Sequence, residues 1–311
     1  MTIYQYSQAS IEHLDRCEDA IAVYPGKDGF APVFAAIDGM GGHQHEAADG
    51  SLVTGREAAQ KVREVLIEDL SHIPADADAS PGGLAETKVI EALKRANQQI
   101  FQHLNGDGSL PPYQCVGAVA TVVVICENGA RLLVVQVGDT RGYLFTGGEL
   151  IQLCSDEDNV EFLIRQNIIS PEDAETVTRV MNTFDGVNEP ELEGSITING
   201  QPFELYLAWR WFWVGNSALN IPGANVVMNA LGVFNEDPIP QTSRIEISQG
   251  DTLLLCSDGI YKNLSEAELI AGLESDVDPA VLLGDKAFAR SQDQANRRRT
   301  PDDISAIVVR F

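Results

Sequence analysis

Apolar positions along the chain fall into short alternating or continuous runs and a few longer stretches with helical spacing. Residues 18–38 read as a strand, a turn and a second strand. The turn is Pro25-Gly26-Lys27-Asp28-Gly29, and the second strand ends at Asp38-Gly39-Met40-Gly41-Gly42. Over 47–70 the spacing changes to threes and fours, with Ala47, Ala58, Val62, Val65, Leu66 and Leu70 on one face, which predicts a helix. A polar loop containing Pro and Gly fills 71–83. A second helix is expected over 86–104, on Val89, Leu93, Ala96, Ile100 and Leu104.

Strands dominate next. Residues 118–126 are rich in β-branched side chains, Glu127-Asn128-Gly129 is a hairpin signal, and 131–137 is the return strand. Asp139 interrupts before 142–145, and Gly147-Gly148 turns the chain into 150–153. Residues 158–180 read as helical, 243–248 and 251–256 as strands around Gln249-Gly250, 264–274 and 278–290 as helices, and 303–311 as a last apolar strand. Hairpin-linked strands with two long amphipathic helices near the start imply an α+β fold with antiparallel sheets, not a regular βαβ alternation.

Composition narrows the partners. The chain has 311 residues, 44% of them hydrophobic, and a formal net charge of −25. That balance argues against nucleic acid, whose phosphates need Lys and Arg. No apolar stretch reaches the ~18 residues of a membrane span, and the N-terminus lacks a basic, then apolar, leader, so a cytoplasmic protein is expected. Cys17, Cys115, Cys126, Cys154 and Cys256 form no CxxC pair and mostly sit in apolar runs, so they read as reduced core residues. The Arg297-Arg298-Arg299 run reads as a solvated loop in preference to a binding patch.

The candidate chemistry is acidic. Glu18-Asp19, Asp38-Gly39, Asp139, Asp258-Gly259 and Asp302-Asp303 each follow or begin an apolar strand among small residues. One Asp-Gly is usually only a turn, but several apolar strands bounded in the same way suggest carboxylates gathered at a cleft. An all-oxygen donor set selects hard cations such as magnesium or manganese. Two such ions can clamp a phosphoryl group and activate water. Residue chemistry alone therefore reaches a carboxylate-bound metal centre, hydrolytic or phosphoryl-transferring.

The motifs and their order resemble the PP2C (PPM) family of metal-dependent protein serine/threonine phosphatases, in its bacterial form. The matching segments are Arg16-Cys-Glu-Asp19, Phe34-Ala-Ala-Ile-Asp-Gly-Met-Gly-Gly-His43, Val137-Gly-Asp-Thr-Arg-Gly-Tyr-Leu144, Gly250-Asp-Thr-Leu-Leu-Leu-Cys-Ser-Asp-Gly259 and Pro301-Asp-Asp-Ile-Ser-Ala-Ile-Val-Val309. The resemblance implies a four-layer αββα sandwich, two antiparallel sheets flanked by helix pairs, forming one domain over 1–311 with an inserted flap at about 178–223. It also implies two metal ions, Mn2+ or Mg2+. Asp38 would bridge them, the Gly39 carbonyl and Glu18 would serve one, and Asp258 and Asp302 the other. Asp139 matches the residue that supports a third, weaker ion. A metal-bridging hydroxide would attack phosphoserine or phosphothreonine in a protein substrate.

Two positions depart from the family pattern. Leu14 stands where an arginine usually grips the phosphate, leaving Arg16 as the nearest substitute. Met40 stands where the resemblance implies a general-acid histidine in eukaryotic members; His43 is a candidate for that role, with a loop-residue reading for it and for His45. The flap region holds Ser195–Ile198, Asn199-Gly200 and residues 203–213, which look like a hairpin whose last segment contains Trp209, Trp211 and Trp213. The aromatic cluster is either a protein-binding surface or the small core of the insertion. Three functions remain: a protein phosphatase, a phosphatase-like binding or regulatory module drawing on Leu14 and the flap, and a hydrolase of a small phosphorylated metabolite.

Overall fold

The computed structural model describes residues 1–47, 49–187, 192–223 and 226–311. Residues 188–191, inside the expected flap, and Ala48, inside the first expected helix, lie outside the described residues. In chain order the elements are β1 (Thr2–Gln8), β2 (Ala20–Tyr24), β3 (Val33–Gly39), β4 (His45–Glu46), β5 (Leu52–Val53), α1 (Gly55–Leu70), α2 (Leu84–Gln99), β6 (Ala118–Cys126), β7 (Arg131–Val137), β8 (Arg141–Thr146) and β9 (Glu149–Gln152). They continue with α3 (Asn159–Arg165), α4 (Pro171–Thr183), β10 (Ser195–Ile198), β11 (Gln201–Glu204), α5 (Leu205–Val214), β12 (Gln241–Glu246), β13 (Thr252–Cys256), α6 (Asp258–Tyr261), α7 (Glu266–Leu273), α8 (Pro279–Gln292) and β14 (Ile304–Arg310).

Two five-stranded antiparallel sheets, in the orders β12-β7-β6-β3-β2 and β1-β14-β13-β8-β9, carry the fold. Period-two alternation sorts their side chains into layers. In β3, Val33, Ala35 and Ile37 face α1 and α2, while Phe34 and Ala36 face the other sheet. In β6, Val122 and Val124 point to the helices and Val123 and Ile125 to the inter-sheet layer. In β14, Ala306 and Val308 meet α7 and α8, while Ile307 and Val309 turn inward. Each central strand is therefore apolar on both faces, which is why β6 and β7 read as unbroken hydrophobic runs. The result is the αββα sandwich expected from the motifs. Among the described residues no helix is long and apolar enough to cross a membrane.

The first helix begins at Gly55, not at residue 47. Thr54 caps it, and Glu57 reaches back to the Thr54 amide at 2.7 Å in a capping box, while β4 and β5 pair just before it. Residues 158–180 are two helices, broken where Asn167 takes φ +55°. The hairpin expected from 195–198 through Asn199-Gly200 forms as β10 and β11, but its return arm over 203–213 is a correction: Leu205–Val214 is a helix. Its aromatic residues face a separate core. Trp209 and Phe212 are buried with Val177, Ile196 and Ile198, and Trp209 stacks edge-on against Phe184 at 4.9 Å. The tryptophan cluster thus belongs chiefly to the interior of this subdomain, whose core takes in α3 and α4 as well as α5.

Candidate metal centre and active site

Strand register carries the scattered acids to one end of the sandwich. In one sheet Ala20 pairs with Ile37 and Gly39 with Ala118, so Glu18 and Asp19, just before β2, lie beside Asp38 at the end of β3. In the other, Cys256 pairs with both Ala306 and Arg141. Asp258, just past β13, therefore comes level with Asp302, just before β14, and Asp139, just before β8. Glycine permits the closest approaches. A Cβ at Gly39 would lie 2.6 Å from the Glu18 carbonyl oxygen, and one at Gly259 would collide with that of Asp303.

Asp302 and Asp303 separate into different roles. The Asp303 carboxylate accepts the Ser10 and Glu18 amides, each at 2.6 Å, and sits 3.7 Å from His13 Nδ1. It is a staple that holds the chain leading into β2. Asp302 accepts only the neighbouring Asp303 amide, at 2.9 Å, among the described hydrogen bonds. Burial, then Asp258 and Asp19, push its pKa well above the usual carboxylate range.

Asp38 is pushed up likewise, first by burial and then by Asp19, Asp258, Asp302 and Asp139. Asp19 is buried and neither of its carboxylate oxygens closes a hydrogen bond, although the Ser257 and Ser305 hydroxyls stand near. Burial and Asp303 raise it to about 8. Sequence reasoning assigned its neighbour Glu18 and passed over Asp19, though both share the same strand-start position. Glu18 is also raised by burial, against the pull of Arg16. Arg16 Nε lies 2.9 Å from Glu18 Oε1, an ion-pair distance without hydrogen-bond alignment.

A second group missed in the sequence is Lys262. Its Nζ is 2.5 Å from Asp258 Oδ2 and 3.8 Å from Asp139 Oδ2. The signal was the i, i+4 spacing from Asp258. Burial works against the charge, but the two aspartates outweigh it and hold the ammonium above the ordinary lysine range. Asp139 is raised to about 7 by burial, partly offset by Lys262. The Tyr261 hydroxyl donates to the Asp139 carbonyl at 3.0 Å, and the Arg141 guanidinium lies 3.6 Å over the Tyr261 ring. Arg141 in turn forks onto Asp156, at 2.9 and 3.0 Å through Nε.

The remaining sequence candidates lie apart from this group or serve the backbone. Leu14 is 61% exposed. His43 Nδ1 meets the Cys115 carbonyl at 3.0 Å and His45 Nδ1 the Gln114 carbonyl at 3.2 Å, so both tie down the loop before β6. The arginine run is a correction: Arg298 is 2% exposed and bonds four backbone carbonyls, those of Met181, Phe184, Tyr261 and Leu264.

Among the described residues, no three His, Cys, Asp or Glu side chains close into a finished ligand cage. The donor chemistry nevertheless suits hard divalent cations. Asp19 Oδ1 and Oδ2 and Asp258 Oδ1 are buried without a partner, and neither His nor Cys intrudes in the set. Glu18, Asp19, Asp38, Asp139, Asp258 and Asp302 face two cations, Arg16 and Lys262. Fully ionised, and counted with Asp303, whose charge also acts on Asp19, the carboxylates exceed those two cations by five.

Comparison with known proteins agrees with this architecture. The sequence profile of the protein phosphatase 2C family matches residues 9–292. The serine/threonine protein phosphatase PstP of Mycobacterium tuberculosis is 24% identical over 99% of this chain. The chain spans only 45% of that relative's length. The serine/threonine phosphatase stp of Listeria welshimeri is 26% identical over 81% of this chain and 75% of its own. A crystal structure of the catalytic domain of PstP in complex with two manganese ions superposes with a TM-score of 0.60, at 23% identity, over 99% of this chain and 96% of the other. With the profile covering most of its length and the sandwich intact, this chain belongs to the protein phosphatase 2C family.

Proposed function

We propose that the protein hydrolyses phosphoserine and phosphothreonine in proteins, in a reaction that depends on two divalent cations, manganese or magnesium. The observation that carries this is the buried carboxylate group at the sheet ends, with oxygens left unpartnered inside the fold. Asp38, the Gly39 carbonyl and Glu18 would hold one ion, Asp38, Asp258 and Asp302 the other. Bound there, the ions supply Lewis acidity toward the phosphoryl oxygens and lower the pKa of a nucleophilic water. The chain supplies the rest. Strand register fixes the carboxylates, the Asp303 staple holds the approach to β2, and Arg16 stands at the rim for the phosphate.

The two manganese ions in the PstP catalytic domain and the phosphatase activity in the relatives' names support this reading. We read residues 1–311 as one catalytic unit with the subdomain around α5 as its insertion, in a cytoplasmic protein whose five cysteines are free. The exposed Leu14 alone favours a non-catalytic binding module, and the intact acidic centre outweighs it. Hydrolysis of a phosphothreonine peptide, with and without manganese, tests the proposal. Manganese-dependent phosphate release is expected. Its absence, with the metal demonstrably bound, would sink it.

A further inference from the structure

Lys262 reaches the acidic centre from directly behind Asp258. Its amide donates to the Asp258 carbonyl at 2.8 Å, continuing the turn of α6. The next residue locks that turn: Asn263 Nδ2 bonds the Gly259 carbonyl at 2.9 Å and the Thr300 carbonyl at 2.8 Å. The side chain is 10% exposed, and its ammonium lies between two aspartates, Asp258 at 2.5 Å and Asp139 at 3.8 Å. The small cavity beside it, lined in part by Arg141, Tyr261 and Arg298, offers only about 20 Å³. That admits about one water and gives a displaced lysine head no hydrated refuge.

We infer that Lys262 is a built-in cation that stands in for a third divalent ion, so that Asp139 is a lysine counter-ion and the centre takes two ions, not three. This rests on the reading of the acidic group as a metal centre. Two observations carry it. One Asp258 oxygen, Oδ2, is already held by the ammonium. Asp139 Oδ2 turns to the same ammonium at 3.8 Å and lies 3.4 Å from the Tyr261 hydroxyl, so both contacts of this carboxylate fall on the oxygen that faces Lys262. A tethered ammonium also differs from a bound ion in never dissociating. The positive charge beside Asp258 is therefore independent of metal concentration.

The test counts ions. Manganese bound per folded chain is measured by equilibrium dialysis at millimolar free metal, with circular dichroism to check the fold. The wild-type protein should hold two. Lys262→Met, which keeps the length of the chain and removes the charge, should hold three, the third weakly. Lys262→Arg should stay at two. Asp139→Asn in the otherwise native protein should also stay at two, and this count stands even where the methionine variant fails to fold. Three ions on the wild type, two on a folded Lys262→Met, or the loss of one on Asp139→Asn would each overturn the inference. A wild-type protein that binds no ion refutes the metal centre itself, a separate outcome.

Discussion

Replacing Arg298 tests how the subdomain is fastened to the acidic end of the sandwich. Its guanidinium donates through Nη1 to Met181 at 2.6 Å and Phe184 at 3.0 Å, at the end of α4. Through Nη2 it donates to Tyr261 at 2.5 Å and Leu264 at 2.7 Å, at and just beyond the end of α6. Both groups are carbonyls at a chain turn that has run out of amide partners, where a cation is favoured. Burial, and then Arg141, pull its pKa down to about 10, so it stays charged at neutral pH. Hydrogen bonds to charged groups contribute ~1.5–3 kcal/mol each. Four would exceed ~6 kcal/mol, but burying a guanidinium with no carboxylate partner offsets several kcal/mol of this. Arg298→Met should therefore lose about 3–5 kcal/mol, the usual cost of breaking a buried charged contact from one side. Against a domain stability of about 5–15 kcal/mol that is a large fraction. Arg298→Lys, with three donors and no planar fork, should recover only part of it. Urea unfolding followed by circular dichroism reads the change as a shift in midpoint. A methionine variant within about 1 kcal/mol of wild type, at unchanged slope, would refute the clamp.

Other perturbations probe the acids. Asp38→Asn should abolish manganese binding and cut phosphothreonine-peptide turnover at least ~100-fold, without lowering the melting temperature of the metal-free protein, because one of several crowded like charges is gone; near-normal turnover would overturn the assignment. Arg16→Ala should raise KM for the peptide about 10-fold if Arg16 grips the phosphate, and an unchanged KM removes it from that role. The metal-free protein should melt lower as pH rises from 5 to 8. Asp19 and Asp139 have folded pKa values of about 8 and about 7, above their unfolded values, so their contribution is complete in acid and lost as pH climbs through those values. Differential scanning calorimetry in chelator checks this, and a flat or rising profile contradicts it.

The strand-end acids were legible because their signal is local. An apolar run that ends near Asp-Gly shows itself without knowledge of the partner strand, as at Asp38 and Asp258, and Asp302-Asp303 opens an apolar run in the same legible way. The start of α1 was legible too, in Thr54-Gly-Arg-Glu57, but Ala47 fits the same helical spacing by coincidence and drew the boundary too early. Residues 205–214 defeat periodicity for a different reason: Leu-Tyr-Leu-Ala-Trp-Arg-Trp-Phe-Trp-Val is apolar around nearly the whole circumference, and a helix with no polar face leaves no 3.6-residue mark. Arg298 shows the limit of composition. A run of three arginines is usually solvated, and only the return of α4 and α6 to the same spot supplies the four carbonyls that make one of them a core residue.

The placement of the acids follows from the same layering that builds the sandwich. Along the middle of the ladders, both faces of β3, β6, β13 and β14 are covered by apolar layers, so a carboxylate there would be buried without a partner. The last rungs, where Asp38 pairs with Val119, and the one or two positions beyond the ladders escape that exclusion while keeping the strands' precision, since their neighbours are still fixed by register. Several acids placed there must repel one another, and the raised pKa values of Asp19, Asp38, Asp139 and Asp302 measure that repulsion together with burial. Two apolar layers of β-sheet can sustain such a strained end because the stabilising contacts lie elsewhere in the molecule. The internal lysine then relieves one side of the cluster permanently, and the other side is left to whatever cations the solution provides.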